Sequence, residues 1–232
     1  MRTISAAGGE ESGTVSLDIL VQLRRDIVDG RFQPGAKLKF AELQQAYGVG
    51  IGTLREALSR LVTEGIVTLD AGRGFRVAEV SEEDLRDLLA LRIDIERRAI
   101  EDSVTHGDDA WEAQVLTTWH LLSKVSGLVF ADRFKPDKEW IRRHRDFHGA
   151  LVAACRSKRI LQFRTILYDQ AERYRLLSIR HGPRLQDTEH EQLKDAALAR
   201  NAALAGDLLV KHIVDSADFV LRFAPQLAGK GA

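Results

Sequence analysis

The chain has 232 residues, enough for one large domain or two modest ones with a real hydrophobic core. Its 34 basic and 34 acidic residues cancel, so any nucleic-acid footprint must be a local patch and not a global field. A single cysteine, Cys155, excludes an intrachain disulfide, and no apolar run approaches the roughly 18 residues of a membrane span.

The opening MRTISAAGGEESGTV is small and polar and lacks the apolar core of a signal peptide, which predicts a disordered lead over residues 1–13 and a cytoplasmic protein. Ser16 then caps a helix whose apolar residues Leu17, Leu20, Leu23, Ile27 and Val28 recur at three- and four-residue spacing up to Gly30. Gln33-Pro34-Gly35-Ala36 carries Pro and Gly at the central positions of a type II turn. A short helix with Phe40, Leu43 and Tyr47 on one side closes at Gly48, and the next begins three residues later. Its expected inward face is Ile51, Leu54, Ala57, Leu58, Leu61 and Val62. Residues 66–69 and 75–77 are β-prone around a turn-rich 70–74. Three helices and a hairpin within 14–78 spell a winged helix-turn-helix, the arrangement that lifts one amphipathic helix into a major groove.

From Ser81 the texture is helical throughout. Ser81 with Asp84 makes a capping-box-like start, and the run to Thr105 turns Leu85, Leu88, Leu89, Ile95, Ala99, Ile100 and Val104 inward. Further helices are expected over 109–129, from Pro136 to about 156, over 158–179, and as a pair within 188–223. The fold class is therefore mainly α: a winged helix followed, over 81–225, by an all-α antiparallel bundle of about six helices, with a tail at 226–232.

On the helix from Gly50, Thr53 and Arg55 lie in the part that reaches base edges, and a guanidinium can fork onto guanine O6 and N7. Lys39 before the preceding helix and Arg73 at the wing tip, between Gly72 and Gly74, are the other outward cations. Pairing of Arg55 with a surface carboxylate is the structural alternative. Glu56 fits a salt bridge better than base reading.

Among seven histidines, His144 and His148 stand four apart and project from one helical face. His190 and His212 lie on the last two helices. A turn at Gly206-Asp207 would separate their heights by roughly 15 Å. A turn at Arg200-Asn201, with Asn201 as N-cap, is 11 residues from each (201 − 190 and 212 − 201) and brings the rings level. That turn is the one expected, and it leaves Gly206 inside a helix at a cost of about 1 kcal/mol relative to Ala. Three helices then aim four imidazoles at one spot, a donor set suited to a divalent transition metal: zinc first, with nickel or iron as alternatives. Direct hydrogen bonding of the histidines to a carboxylate effector is the metal-free alternative. His106 beside Gly107 fits a helix C-terminal cation, and His120 and His181 read as surface residues. Arg92 falls on the inward stripe with Leu88, Leu89 and Ile95, where a charge must be paired, with Glu96 for instance, or must serve a ligand. Arg173 and Arg175 are further effector-binding candidates.

The pattern PG…L…L…YGVG…TLREALSRLVTEGIV…GRGFRV resembles the GntR family of bacterial regulators across residues 15–77. The helical continuation resembles its FadR subfamily, whose ligand domain is called FCD. The resemblance implies a homodimeric, operator-binding transcription regulator, expected to be a repressor, that responds to a small carboxylate. It also implies that Arg92 faces the effector and that metal ligands fall at the positions of His144, His148, His190 and His212. Two departures stand out. Family members often carry Ser-Arg where this chain has Gly50-Ile51, so base reading leans on Thr53, Arg55 and the wing. The first metal ligand is usually Asp or Asn, where this chain has His144. YGVG…LREAL and WIRRHRDFH are similar to regulators of glutarate and γ-aminobutyrate catabolism, which implies a short dicarboxylate effector. A metalloenzyme with a docking winged helix, using Glu139 or Asp146 as general base, is the rival; no nucleophile motif or phosphate loop supports it.

Overall fold

The computed structural model describes residues 8–129, 138–179, 188–224 and Leu227. The chain forms two compact units, Met1–Val80 and Ser81–Ala232. The expected loop at 130–135, Pro136, the helix stop at 181–183 and most of the tail lie outside the described residues.

The first unit comprises α1 (Gly8–Val28), α2 (Phe40–Tyr47), α3 (Ile51–Thr63), β1 (Val67–Asp70) and β2 (Gly74–Val77). Its core is built by Leu23 and Ile27 of α1, Leu43 of α2, Leu54, Leu58 and Leu61 of α3, and Val67, Phe75 and Val77 of the wing. Gly35 takes φ +75 in the Pro-Gly turn, which the Ala36 N–H closes onto Gln33 O at 3.0 Å. Antiparallel pairing runs from Val67↔Val77 to Asp70↔Gly74, and Gly72 and Gly74 supply the left-handed backbone of the tip. Two expectations are corrected. α1 begins at Gly8 and not at Ser16, so 8–13 is helix and not a disordered lead. No proline interrupts that stretch, and a helix once nucleated extends backward at one hydrogen bond per residue fixed. Ile51 is not an inward residue: it is 45% exposed, because a side chain on the first turn has no preceding turn to cover it.

The second unit comprises α4 (Glu82–His106), α5 (Asp109–Val129), α6 (Lys138–Leu151), α7 (Lys158–Ile179), α8 (Thr188–Leu198) and α9 (Ala202–Phe223). Ser81 caps α4, its hydroxyl accepting from the Asp84 N–H at 3.1 Å. α4 packs along α9 and α7, α5 along α6, and α8 along α9. Ile100, Val115, Leu122, Phe147, Leu193 and Leu209 are among the residues closing the core between them. α6 ends at Leu151 and not near 156. The Ser103 hydroxyl takes the Ala154 N–H at 3.0 Å and the Asp102 carboxylate takes the Arg156 N–H at 2.7 Å, which diverts both donors from the helix. No helix is long and apolar enough to cross a membrane among the described residues.

The turn between α8 and α9 falls at residues 199–201. Asn201 is the N-cap of α9, its side-chain oxygen accepting from the Leu204 N–H at 3.1 Å. Arg200 takes φ 57, and its guanidinium donates to Val104 O (3.1 Å) and Gly107 O (2.7 Å) and pairs with Glu112. Because this turn sets the height of His212 against His190, its cap is a direct handle on the site. Asn201→Ala is expected to cost about 1 kcal/mol and Asn201→Gly only a few tenths, read as shifts in the urea unfolding midpoint.

Candidate metal centre

α6 delivers His144 and His148 from adjacent turns of one face, α8 delivers His190 and α9 delivers His212. All four are buried, at 4%, 3%, 6% and 9% exposure. Their rings pack against one another with centroid separations from 4.4 Å (His144–His148) to 6.2 Å (His144–His212). One ligand atom from each residue can be chosen so that all four lie within 4.8 Å of one another. That spacing is close enough for ring rotations to bring the four nitrogens onto one ion, which these residues would hold.

The chemistry of the four rings fits a cation as well as their spacing does. His148 Nε2 is buried without a hydrogen-bond partner, a condition a protein interior rarely tolerates unless something binds there. His212 Nδ1 lies 2.8 Å from Glu189 Oε2, and His144 Nδ1 lies 3.3 Å from the Tyr168 hydroxyl. Each contact fixes ring orientation and leaves Nε2 as the coordinating nitrogen, the outer-shell arrangement metal-binding imidazoles use. Burial, then the neighbouring histidines and nearby arginines, pushes the pKa of His144 and His148 well below the ordinary value; the rings are neutral and so in the ligand form. The hydrogen bond to His212 holds the Glu189 carboxyl below its usual range.

Beside the histidines lies a constricted cavity of about 30 Å³, lined among others by Arg92, Tyr168, Glu172, Arg175 and Ser216. Arg175 pairs with Glu172 and lies over the Trp140 ring, 4.7 Å from its centroid. Arg92 pairs with Glu96 at 3.4 Å, and Glu96 is shared with Arg164 at 3.0 Å. Glu96 is fully buried; burial would raise its pKa, but Arg164 and Arg92 outweigh it and keep the carboxylate ionised. Arg145 pairs with Asp169. Around Tyr168, the arginines Arg92, Arg145, Arg164 and Arg175 therefore pair with the carboxylates Glu96, Asp169 and Glu172.

Of the effector candidates, Arg92 and Arg175 line the cavity; Arg173 does not, and it is buried near Tyr174 and Asp84. Arg145, Arg164, Tyr168 and Glu189 escaped the sequence reading. A signal existed: Arg164, Tyr168, Glu172 and Arg175 recur at helical spacing on α7, a polar stripe where a core stripe belongs. The rival's general bases are elsewhere. Glu139 is tied to Arg142 and Arg143, whose hydrogen bonds pull its pKa down to about 2, and Asp146 pairs with Arg142; neither lines the cavity.

In the first unit, Thr53 is partly exposed and Arg55 is exposed on α3, the Arg55 guanidinium lying 5.5 Å from the centroid of Phe40. Lys39, N-terminal to α2, pairs with Glu42 at 2.7 Å, and Arg73 at the wing tip is 75% exposed. His106 ends α4 with Nδ1 2.8 Å from Asp102 O, His120 is exposed, and His181 lies outside the described residues. Cys155 is buried, and burial pushes its thiol pKa up.

The fold and this site together define a winged-helix DNA-binding protein with a histidine-lined helical ligand domain. Residues 16–77 match the model of bacterial regulatory proteins of the gntR family, and residues 87–215 match the FCD domain. The chain is 42% identical over 204 residues to the HTH-type transcriptional regulator BphR of Paraburkholderia xenovorans (strain LB400), covering 87% of this chain and 83% of that one. It is 40% identical over 205 residues to the HTH-type transcriptional repressor GlaR of Escherichia coli (strain K12), covering 86% and 92%. Among solved structures, a GntR transcriptional regulator from Rhodococcus sp. RHA1 superposes with TM-score 0.71 at 25% identity, covering 90% of this chain and 98% of that one. E. coli McbR/YncC shares the fold with TM-score 0.78 at 20% identity, covering 90% and 97%. The chain belongs to the gntR family of bacterial transcription regulators and carries an FCD domain; its relatives are regulators, not enzymes.

The neutral state of the buried rings has a pH signature in metal-free protein. His144 and His148 titrate well below 6.5 when folded and near 6.5 when unfolded, so the unfolded chain takes up protons that the folded one refuses. Their stabilisation is present above pH 6.5 and is lost as pH falls, by up to about 1.4 kcal/mol per histidine per pH unit. The urea midpoint of chelator-treated protein should fall between pH 7 and pH 5.5, with a smaller fall in His148→Gln. A midpoint flat across that window contradicts neutral burial.

Proposed function

We propose that the protein is a homodimeric repressor that releases its operator when a small carboxylate binds at a divalent metal held by His144, His148, His190 and His212. The observation that carries this reading is the convergence of four buried imidazoles from three helices beside a cavity lined by Arg92 and Arg175. Zinc is the first choice of ion, with nickel or iron as alternatives accepted by the same nitrogens. A bound ion supplies a Lewis-acidic pole for a carboxylate oxygen. The chain's own groups do the rest: Glu189 and Tyr168 orient His212 and His144, while Arg92 and Arg175 bind and orient the anionic effector. Two arginines lining one cavity, Arg92 from α4 and Arg175 from α7, suit a second carboxylate on the same molecule, which supports a short dicarboxylate.

Residues 14–78 are the proposed DNA-binding domain and 81–225 the effector and dimerisation domain. Thr53 and Arg55 of α3 face base edges, with Lys39 and Arg73 as flanking cations. One such module makes few base contacts, and a two-fold operator matches a two-fold protein. The repressor sign is supported by the name of the E. coli relative at 40% identity. Effector binding shifts the dimer toward a state of lower DNA affinity by as much as its own preference for that state.

Elemental analysis should find one equivalent of metal per chain in the purified protein and none in His148→Ala; a metal-free wild type removes the metal from the reading. Screening short mono- and dicarboxylates by thermal shift should raise the Tm of the loaded protein, with the gain abolished by chelator. Arg92→Ala should weaken the best hit by roughly 1.5–3 kcal/mol, the size of a hydrogen bond to a charged group. Arg55→Ala is expected to weaken operator binding by roughly 1–3 kcal/mol in a mobility-shift titration, and unchanged affinity would sink its base-reading role.

A further inference from the structure

The first turn of α3 is built unlike the rest of that helix. Its outward residues from Arg55 onward include Arg55, Glu56, Ser59 and Arg60, but Ile51, one turn before Arg55 on the same face, is a large apolar side chain left 45% exposed. Single exposed apolar residues are common and need no explanation by themselves. What sets Ile51 apart is Gly52. Glycine costs about 1 kcal/mol relative to alanine within a helix. Gly52 has no left-handed φ, and a Cβ built on it meets nothing within 4 Å. Gly50 is likewise open, although as N-cap it has an ordinary capping role. Among the described residues nothing packs against the bare backbone at 52, so a surface approaching α3 from outside can come close to it there.

We infer that Ile51 is a specificity-determining residue that reads a thymine methyl group in the operator major groove, with Gly52 clearing the backbone for close approach. In that groove an apolar side chain has one apolar feature to recognise on a base edge, the thymine C5-methyl. A β-branched side chain at the helix start is stiff in χ1 and presents a fixed methyl surface. Arg55 sits four residues on, its guanidinium laid over Phe40, so apolar and guanidinium recognition stand side by side on one helix face. The inference rests on the proposal that α3 is the groove-entering helix.

The test uses the full chain and duplexes recovered by selection from a randomised library. Each thymine of the recovered site is replaced in turn by deoxyuridine, which removes the methyl and keeps the pairing. The expected result is one thymine per half-site where the exchange weakens the wild type about fourfold, the worth of one buried methyl(ene), and leaves Ile51→Ala unaffected. Exchanges felt equally by both proteins at every thymine, or by neither, overturn the role of Ile51. Gly52→Ala should raise the Tm by a few degrees while weakening every recovered duplex; undiminished affinity overturns the close-approach argument. Failure of the underlying reading looks different: no sequence is enriched, or Arg55→Ala binds the recovered duplexes as tightly as the wild type.

Discussion

Four buried imidazoles packed together in a helical bundle, His144 and His148 of them held neutral by burial, are the constraint to which the rest of the second unit answers. Each buried ring nitrogen left unsatisfied costs on the order of 1–3 kcal/mol, so a core of this kind is retained only where something compensates it. The compensation visible in the chain is partial: Glu189 serves His212 and Tyr168 serves His144, while His148 Nε2 has no hydrogen-bond partner. The placement of the rings depends in turn on the α8–α9 turn. Arg200 is held there in a left-handed conformation by donating to Val104 O and Gly107 O, the end of α4, and by pairing with Glu112 of α5. The α4–α5 corner therefore helps fix the height at which His212 meets His190.

The second constraint is charge. Glu96, 1% exposed, stands between Arg92 and Arg164, and removing either arginine would leave a buried carboxylate short of a partner. Tyr168 joins this group to the histidines: its ring lies under the guanidinium groups of Arg92, Arg145 and Arg164, with centroids 5.2, 5.3 and 4.7 Å away, and its hydroxyl meets His144. An anion entering the cavity would meet an arginine-rich wall already contiguous with the imidazoles. Tyr168 meets His144 through its hydroxyl and Arg164 donates to the His148 carbonyl at 3.1 Å, so the arginine group and the imidazoles form one connected network.

The winged helix was legible because its signals are local: the Pro-Gly turn, the glycine stops and the paired β-prone runs each act over a few residues. The four histidines were legible for a different reason. Equal spacing of His190 and His212 from Asn201 converts sequence distance into height along two antiparallel helices, and that arithmetic selected the observed turn over Gly206-Asp207. What stayed hidden was tertiary. The early end of α6 depends on Ser103 and Asp102, some fifty residues away in sequence, and Arg173 and Arg175 cannot be told apart without knowing which way α7 is rolled. Ile51 was misplaced because a periodicity argument extends a stripe to the last residue, where the covering turn is missing.

Local rules are broken at a few positions, and these lie beside what the protein uses. Gly206, inside α9, is one. A Cβ there would stand 2.6 Å from Glu101 Oε1 and 3.2 Å from its Cγ, so the glycine leaves room for the Arg97–Glu101 pair, and Arg97 also reaches Asp207 at 2.7 Å. This contact clamps α4 to α9. α4 carries Arg92 and α9 carries His212, so the clamp helps hold the arginine-lined wall of the cavity against the imidazoles. The helix-propensity cost at Gly206 is therefore spent on joining the two halves of one site, as the left-handed Arg200 is spent on levelling its rings.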